Sequence, residues 1–169
     1  MGKLIDFGKS QNLRKGEMKM NVRLAKAILF LLVGEGQPVY KTKLNKLLFY
    51  AQFLYAQKKY GDLIEKKFIK DYYGPVIADI DHELSILQQY GLIDMDNNGY
   101  GTLIYPLVKF KDDNYTCQER EVLQAVVERF RGISASCISE RSHGEQLWIE
   151  RQLKQEIPLE EAYKLTEFK

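Results

Sequence analysis

The stretch that most constrains the fold is KLNKLLFYAQFLYAQKKYG, which runs from Lys43 to Gly61. Apolar residues recur in it at the i, i+3, i+4, i+7 spacing of one helical face: Leu44, Leu47, Leu48, Ala51, Leu54 and Tyr55. A second apolar face carries Phe49, Tyr50, Phe53 and Tyr60, interleaved with Lys46 and Gln57. A helix that is apolar nearly all round is typically surrounded by other elements. The sequence therefore predicts a central helix.

The second face of this helix has two interpretations. It belongs to the core, as a helix apolar all round usually indicates, or it lines a groove that meets a partner. The second interpretation rests on Lys46, Tyr50 and Phe53, because aromatic side chains beside a basic one are suited to protein contacts. The solvent exposure of Tyr50 distinguishes the two.

Cap signals predict where the first two helices begin and end. Asn21 is a candidate N-cap for a helix over VRLAKAILFLLV, and Gly34 and Gly36 are expected to stop that helix. Thr42 is a candidate N-cap of the central helix. Gly61 is expected to end it in a left-handed conformation.

The remainder of the chain alternates short extended segments with helices. A short strand is predicted between Asp62 and Tyr73, and an Asn-Gly hairpin at Asp96-Asn97-Asn98-Gly99 between the runs Leu92–Met95 and Tyr100–Tyr105. Later helices are predicted from their first residues, which are Pro75, Thr116 (with Glu119 as its capping-box partner), Ser134 and Pro158. The fold class is therefore α+β, mostly α, with a helical domain around a central hydrophobic helix and a small antiparallel β-hairpin or sheet. Residues 1–20 are predicted to be a flexible N-terminal arm, and residues 21–169 a single domain.

Composition and charge exclude several classes of protein. No apolar run approaches the roughly eighteen residues that span a membrane, and the N-terminus lacks the hydrophobic core of a signal peptide. Cys117 and Cys137 are too far apart for a C-x-x-C motif and are predicted to be reduced thiols. These features indicate a cytoplasmic protein that has no contact with a membrane. Residues 1–73 hold 15 Lys+Arg against 6 Asp+Glu, whereas residues 74–169 hold 10 against 17.

Motifs that carry catalytic or metal chemistry are missing from the sequence. His82-Glu83 lacks the second histidine of a metalloprotease helix, and the cysteines and histidines have no zinc-ligand spacing. There is no G-x-S-x-G and no phosphate-binding glycine loop. We therefore expect no enzyme, no catalytic residue, no metal and no cofactor.

One segment has the order of elements found in winged-helix DNA binders. Pro75 to Pro106 reads as helix, strand, wing and strand. The helix exposes Asp79, Asp81 and His82, followed by Glu83, and carboxylates repel the phosphates of DNA. The wing tip has no lysine or arginine. A DNA-binding transcriptional regulator of a prophage or mobile element is therefore the alternative function, possible but not favoured.

A set of motifs gives the most specific indication of function. The central stretch LNKLLFYAQFLYAQKKYG is followed by YYGPV, by a hydrophobic helix ending in YGLI, and by SERSHGEQLW near the C-terminus. Over residues 20–164 this arrangement resembles the Panacea domain, the SocA/GepA-like antitoxin family of bacterial and prophage gene pairs. The resemblance implies a non-catalytic protein of a toxin–antitoxin system that binds and neutralises a cognate protein toxin.

The resemblance also implies which positions matter. The family's recurrent positions correspond to Lys46, Leu47, Leu48 and Tyr50 on the central helix, Tyr73, Gly74, Pro75 and Val76 at the turn, and His143 and Trp148 near the C-terminus. With Phe53 added from the second apolar face of the helix, the candidate partner-binding residues are Lys46, Tyr50, Phe53, Tyr73, Gly74, Pro75, Val76, His143 and Trp148. We hypothesise that the Lys46–Tyr50–Phe53 face and the Tyr-Gly-Pro turn form one groove. For His143 a purely structural role is the alternative, and for Trp148 either a core or an interface anchor fits.

Overall fold

The structure is a computed structural model that describes residues 3–5 and 19–169. Its helices are α1 (Val22–Glu35), α2 (Lys41–Gln57), α3 (Ile80–Gln89), α4 (Cys117–Phe130), α5 (Ala135–His143) and α6 (Gln146–Ile149). Its strands are β1 (Lys3–Ile5), β2 (Val39–Tyr40), β3 (Phe68–Asp71), β4 (Gly74–Ile77), β5 (Ile93–Asn97), β6 (Thr102–Pro106), β7 (Val108–Phe110) and β8 (Glu156–Ile157). Two 3₁₀ helices cover Asp112–Asn114 and Leu159–Lys164. The predicted class, α+β and mostly α with small antiparallel sheets, is confirmed.

Helix α2 lies at the centre of the fold, as its sequence predicts. Every residue from Lys43 to Tyr55 is buried. The helix begins earlier than expected, because Tyr40 occupies the N-cap position and Thr42 lies inside the helix, so the predicted cap at Thr42 is wrong. At the other end Lys59, not Gly61, is the first residue with a left-handed φ, at 67°.

Helices α1 and α4 pack against each other and against α2. The predicted N-cap of α1 is confirmed, since the Asn21 side chain accepts a hydrogen bond from the Leu24 backbone N–H at 3.0 Å. Gly36 ends the helix with φ 77°, whereas Gly34 lies within it. A Cβ atom on Gly34 would lie 2.7 Å from Val127 Cγ2 of α4. The role of Gly34 is therefore to let two helices approach closely.

Local signals also identify the start of α4 and α5. Thr116 and Glu119 form the predicted capping box, in which each side chain accepts a hydrogen bond from the other residue's backbone N–H. The Ser134 hydroxyl accepts from the Cys137 backbone N–H at 3.1 Å and so caps α5. Near the C-terminus, Pro158 precedes the 3₁₀ helix Leu159–Lys164, so a helical segment begins there as predicted.

The segment around Pro75 differs from the prediction. Gly74–Ile77 form strand β4, in which Pro75 pairs with Lys70 of the antiparallel strand β3. The expected helix begins only at Ile80. Proline is tolerated here because β4 is an edge strand, where a missing N–H removes no bond to a second neighbour. Strand β8, which the sequence did not indicate, pairs with the other side of β3.

The second antiparallel sheet has the strand order β2-β6-β5. Strands β5 and β6 form the predicted hairpin, with Asn97 opposite Thr102 and a four-residue tip at Asn98–Gly101. The succession α1, β2, α2, α3, β5, β6 with this strand order is the arrangement of a winged helix-turn-helix unit. The β3–β4 hairpin is inserted between the two helices α2 and α3.

The N-terminal segment is described in part. Lys3–Ile5 of the predicted flexible arm form strand β1, which pairs in parallel with β7. Residues 1–2 and 6–18 of that arm lie outside the described residues. Among the described helices, none combines the length and the apolar character needed to cross a membrane.

The close contact at Gly34 predicts that the effect of Gly34→Ala on stability changes sign when Val127 is also replaced by alanine. Gly34→Ala should lower the free energy of unfolding by about 1–2 kcal/mol, because overpacking against Val127 outweighs the gain of roughly 1 kcal/mol in helix propensity. In a Val127→Ala background the same substitution should stabilise the protein. Urea denaturation of the four proteins measures both effects, and equal effects in the two backgrounds would contradict the contact.

Candidate partner-binding site

Two tyrosines form the tip of the β3–β4 hairpin. Tyr72 and Tyr73 join Asp71 to Gly74, and their exposed fractions are 70% and 73%. The turn is fixed from within, because the Asp71 carboxylate accepts a hydrogen bond from the Tyr72 backbone N–H at 2.9 Å. An ordered turn therefore presents two large aromatic side chains to solvent.

Gly74 allows this turn to lie directly on the helices beneath it. Its φ is +117°, a conformation that side chains rarely adopt. A Cβ atom at this position would lie 2.6 Å from Ser142 Oγ and 2.7 Å from Lys46 Cε. Ser142 is held by its hydrogen bond to the Ser139 carbonyl at 2.7 Å. Both the backbone geometry and the close packing therefore require glycine.

Lys46 lies buried below the turn. Its exposed fraction is 0%, and its Nζ has no hydrogen-bond partner among the described residues. Burial lowers the pKa of Lys46 from 10.5 to about 8, although the Asp71 carboxylate acts in the opposite direction. An ammonium group in such a position destabilises the fold, because desolvation is not offset by a direct ion pair.

Tyr50, one helical turn further along α2, is buried in the same way. Its ring stacks on Phe130 with centroids 4.8 Å apart, and its hydroxyl lacks a hydrogen-bond partner within residues 19–169. Burial, reinforced by the Glu145 and Glu167 carboxylates, raises the pKa of Tyr50 well above its usual value. The side chain therefore remains neutral at physiological pH.

Trp148 ties α6 to the base of the turn. Its indole Nε1 donates a hydrogen bond to the Asp71 carbonyl at 3.1 Å. The His143 ring stacks on the indole at 4.4 Å, and Lys70 Nζ lies 3.9 Å from the ring centroid. The His143 Nε2 atom is buried and lacks a hydrogen-bond partner in the described part of the chain. Trp148 thus fixes the end of β3, and with it the position of Tyr72.

A shallow groove of about 290 Å³ runs along α5 beside the turn. Its lining combines small, aromatic and polar side chains: Thr42, Tyr73, Ala135, Ser136, Ser139, Glu140 and His143. Tyr73 therefore contributes to the groove as well as to the tip of the hairpin. Together, the turn and this groove form the candidate site, which we call the aromatic turn surface.

The structure brings together only part of the predicted set. The hairpin carries Tyr73, Gly74, Pro75 and Val76. Below it lie Lys46, under Gly74, and His143 and Trp148, at the end of β3. Pro75 is buried and Val76 is half-buried, and both pair with β3, so they hold the hairpin together below its exposed tip. Phe53, by contrast, packs against Phe49 and Phe68 and is 1% exposed.

The groove hypothesis for the second face of the central helix is wrong in this structure. Tyr50 is 0% exposed, so the face that contains Lys46, Tyr50 and Phe53 belongs to the core. The physical reason is that elements distant in sequence cover it: α2 contacts α4, α5, β4 and the C-terminal 3₁₀ helix. These three residues can act on a partner only through the surface that they support.

Some residues of the site carry no signal in the sequence. Asp71 acts through its backbone carbonyl and its carboxylate, and Ser142 through its contact with Gly74. Neither role follows from residue type or spacing. Tyr72 stands within the YYGPV motif, and its exposure is the feature that the motif alone did not reveal.

Comparison with known proteins identifies the family. Residues 44–149, more than half of the chain, match the family model described as antitoxin SocA-like, Panacea domain. The chain belongs to this family. The match contains the aromatic turn, Lys46, His143 and Trp148. No curated protein and no solved structure matches the chain. Within residues 3–5 and 19–169 of this Panacea protein, no group of three or more His, Cys, Asp and Glu residues is arranged to hold a metal ion.

The crowding at Gly74 predicts that replacing this glycine destabilises the protein by more than the strain of a positive φ alone. Gly74→Ala should lower the free energy of unfolding by about 2–4 kcal/mol, because the backbone strain and the contacts with Ser142 and Lys46 add. Gly99→Ala is the matched control, since Gly99 has φ 87° and open space around it; about 1 kcal/mol is expected there. Equal losses in urea denaturation would contradict the packing argument.

The lowered pKa of Lys46 predicts a pH-dependent stability. Between pH 8 and about 10.5 the unfolded chain binds the lysine proton and the folded chain does not, so stability should rise with pH in this window. Lys46→Met should therefore stabilise the protein at pH 7 by roughly 2–3 kcal/mol, and the advantage should shrink by pH 9. Urea denaturation at pH 7, 8 and 9 measures the difference, and a difference that does not change with pH would contradict the burial of a charged Lys46.

Proposed function

We propose that this protein is the antitoxin of a toxin–antitoxin pair, encoded beside its toxin, and that it binds and neutralises that toxin without catalysis of its own. Membership of the SocA-like antitoxin family supports the general role. The observation that carries the proposal to a particular surface is the exposure of Tyr72 and Tyr73 on a rigid turn. The motif that contains them lies within the family match.

The aromatic turn surface has the physical properties of a protein contact. Tyrosine is enriched at the residues that dominate binding energy, because its ring buries a large area and its hydroxyl keeps a polar partner. The hairpin register and the Asp71 bond already order the turn, so binding loses little conformational entropy. The groove along α5 offers a recess of about 290 Å³ for a side chain of the toxin.

The buried residues of the family motif act as positioning residues in this proposal. Trp148 fixes the end of β3 through the Asp71 carbonyl, and His143 stacks on Trp148. Lys46 and Gly74 determine how closely the turn approaches α2. Rigid support of this kind keeps a recognition surface in its binding geometry.

A DNA-binding regulator is the second candidate, favoured by the winged-helix strand order β2-β6-β5. The charge of α3 argues against this candidate. The helix in the recognition position, α3, has Asp81 and Glu83 in its first turn and no basic residue in its last. Affinity for DNA comes largely from lysine and arginine that neutralise phosphates, so neutralising a toxin is the better supported function.

Co-expression with the toxin encoded by the neighbouring gene tests the proposal. The wild-type protein should restore growth and bind the purified toxin. Tyr72→Ser combined with Tyr73→Ser should abolish the rescue and weaken the Kd at least about tenfold, the equivalent of about 1.4 kcal/mol. Tyr163→Ser is the matched control, since Tyr163 is 59% exposed on the C-terminal 3₁₀ helix outside the aromatic turn surface.

The outcomes separate the role from the surface. If the wild-type protein neither rescues growth nor binds the neighbouring product, the antitoxin role is wrong. If the wild-type protein does both and the double variant retains its affinity with an unchanged Tm, the toxin binds elsewhere.

A further inference from the structure

The winged-helix part of the chain has an unusual charge. Residues 74–108, which supply α3 and the β5–β6 hairpin, contain no lysine and no arginine. Their acidic residues are Asp79, Asp81, Glu83, Asp94 and Asp96. A winged helix that binds DNA needs the opposite sign on this face, because its affinity comes from neutralising phosphates. The face formed by α3 and the wing, which is the β5–β6 hairpin Ile93–Pro106, is therefore unsuited to nucleic acid.

The acidic side chains at the start of α3 are compensated only in part. Lys66 Nζ lies 2.6 Å from the Asp79 carboxylate and 2.7 Å from that of Glu83, so one ammonium serves two carboxylates. Asp81 pairs with Lys41 at 2.8 Å, but its side chain is 79% exposed. This end of the face retains a net negative charge.

The acidic side chains of β5 have no basic partner among the described residues. The Asp94 carboxylate accepts hydrogen bonds from Gln88 of α3 at 3.0 Å and from the Tyr105 hydroxyl at 3.0 Å, which joins helix and hairpin into one surface. The hydrogen bond from the Met95 backbone N–H lowers the pKa of Asp94 most, and the bonds from Gln88 and Tyr105 lower it further. All three therefore favour the charged form. Asp96 is exposed near the wing tip.

The wing tip presents an aromatic side chain from an ordered loop. Tyr100 is 91% exposed, the largest value among the exposed hydrophobic residues of the described chain. The Tyr100 backbone N–H donates to the Asn98 side chain at 2.9 Å, and the Asn98 amide donates to the Tyr40 hydroxyl of β2 at 2.9 Å. The Gly99 N–H donates to the Asn97 side chain at 3.1 Å. The tyrosine is thus held out from a loop that is fixed on both sides.

We infer that α3 and the wing form a second docking surface, and that its partner is a protein segment rich in arginine and lysine. Charge complementarity identifies this occupant, because like charges would repel an acidic partner or a nucleic acid. The exposed Tyr100 ring offers a face for a cation, and Asp96 adds an exposed carboxylate to the same hairpin. Arginine is the side chain that makes both kinds of contact best. The surface consists of the exposed residues of α3, β5 and the wing tip, and it is distinct from the aromatic turn surface.

A labelled peptide tests the inference on the full-length protein. The probe is a fluorescein-labelled peptide of alternating arginine and glycine, and its affinity is measured by fluorescence anisotropy. Asp96→Lys combined with Tyr100→Ser should raise the Kd at least about fivefold, because both the charge and the ring are lost. Asp113→Lys combined with Tyr163→Ser is the matched control, with the same changes on exposed residues outside this surface, and should alter the Kd less than about twofold. Unchanged Tm values establish that both variants fold.

The location of binding is read from amide shifts in a ¹H–¹⁵N spectrum. The peptide should perturb residues of α3 and the wing. Equal weakening by the two double variants would show attraction to net charge alone and would overturn the inference. Perturbed amides confined to other elements, or tighter binding of a DNA duplex than of the peptide at the same salt concentration, would overturn it as well.

Discussion

The burial of α2 on all sides is the constraint on which the rest of the structure depends. Such a helix must bury its polar residues as well, and each buried polar group needs a partner or destabilises the fold. Gln52 meets this requirement by accepting from the backbone N–H groups of Leu63 and Ile64, and the Asn45 side chain accepts from the N–H of Ile77. The polar residues of the central helix therefore fix the segment that precedes β3 and the last residue of β4. The packing of the core and the placement of the hairpin therefore depend on the same hydrogen bonds.

Lys46 departs from this pattern. Asn45 and Gln52 contribute hydrogen bonds, whereas the Lys46 ammonium lies without a direct partner among the described residues under the turn that exposes Tyr72 and Tyr73. A local arrangement that opposes stability is found most often where a protein meets its ligand or partner. Its position directly below two exposed aromatic side chains connects the buried part of the family motif to the exposed part. In the proposed function the motif is thus mostly a set of buried supports, with few of its members exposed.

Local signals in the sequence predicted the helix starts at Asn21, Thr116 and Ser134, because each depends on a hydrogen bond within three residues. The sequence predicts a helix from Pro75, whereas the structure has a strand there. The strand forms because Pro75 pairs with Lys70, and the short strand and turn that bring them together leave little periodicity in the sequence. The aromatic face of α2 was open to two interpretations for a similar reason: whether Tyr50 is covered depends on Phe130, eighty residues away in the chain. The family motif marks residues around the turn, but it does not distinguish buried supports such as Lys46 from exposed residues such as Tyr73.

The winged-helix arrangement illustrates why fold alone does not give function. In a helix-turn-helix the two helices are joined by a short turn, which places the second helix in the major groove. Here the β3–β4 hairpin separates α2 from α3, and one lysine of the intervening segment, Lys66, is bound to carboxylates at the start of α3. In this chain the connection between α2 and α3 carries the turn with Tyr72 and Tyr73. At the same time residues 74–108, which supply α3 and the β5–β6 hairpin, contain no lysine or arginine. Both features argue against nucleic-acid binding, and the two proposed surfaces carry exposed tyrosines and charges that suit protein partners.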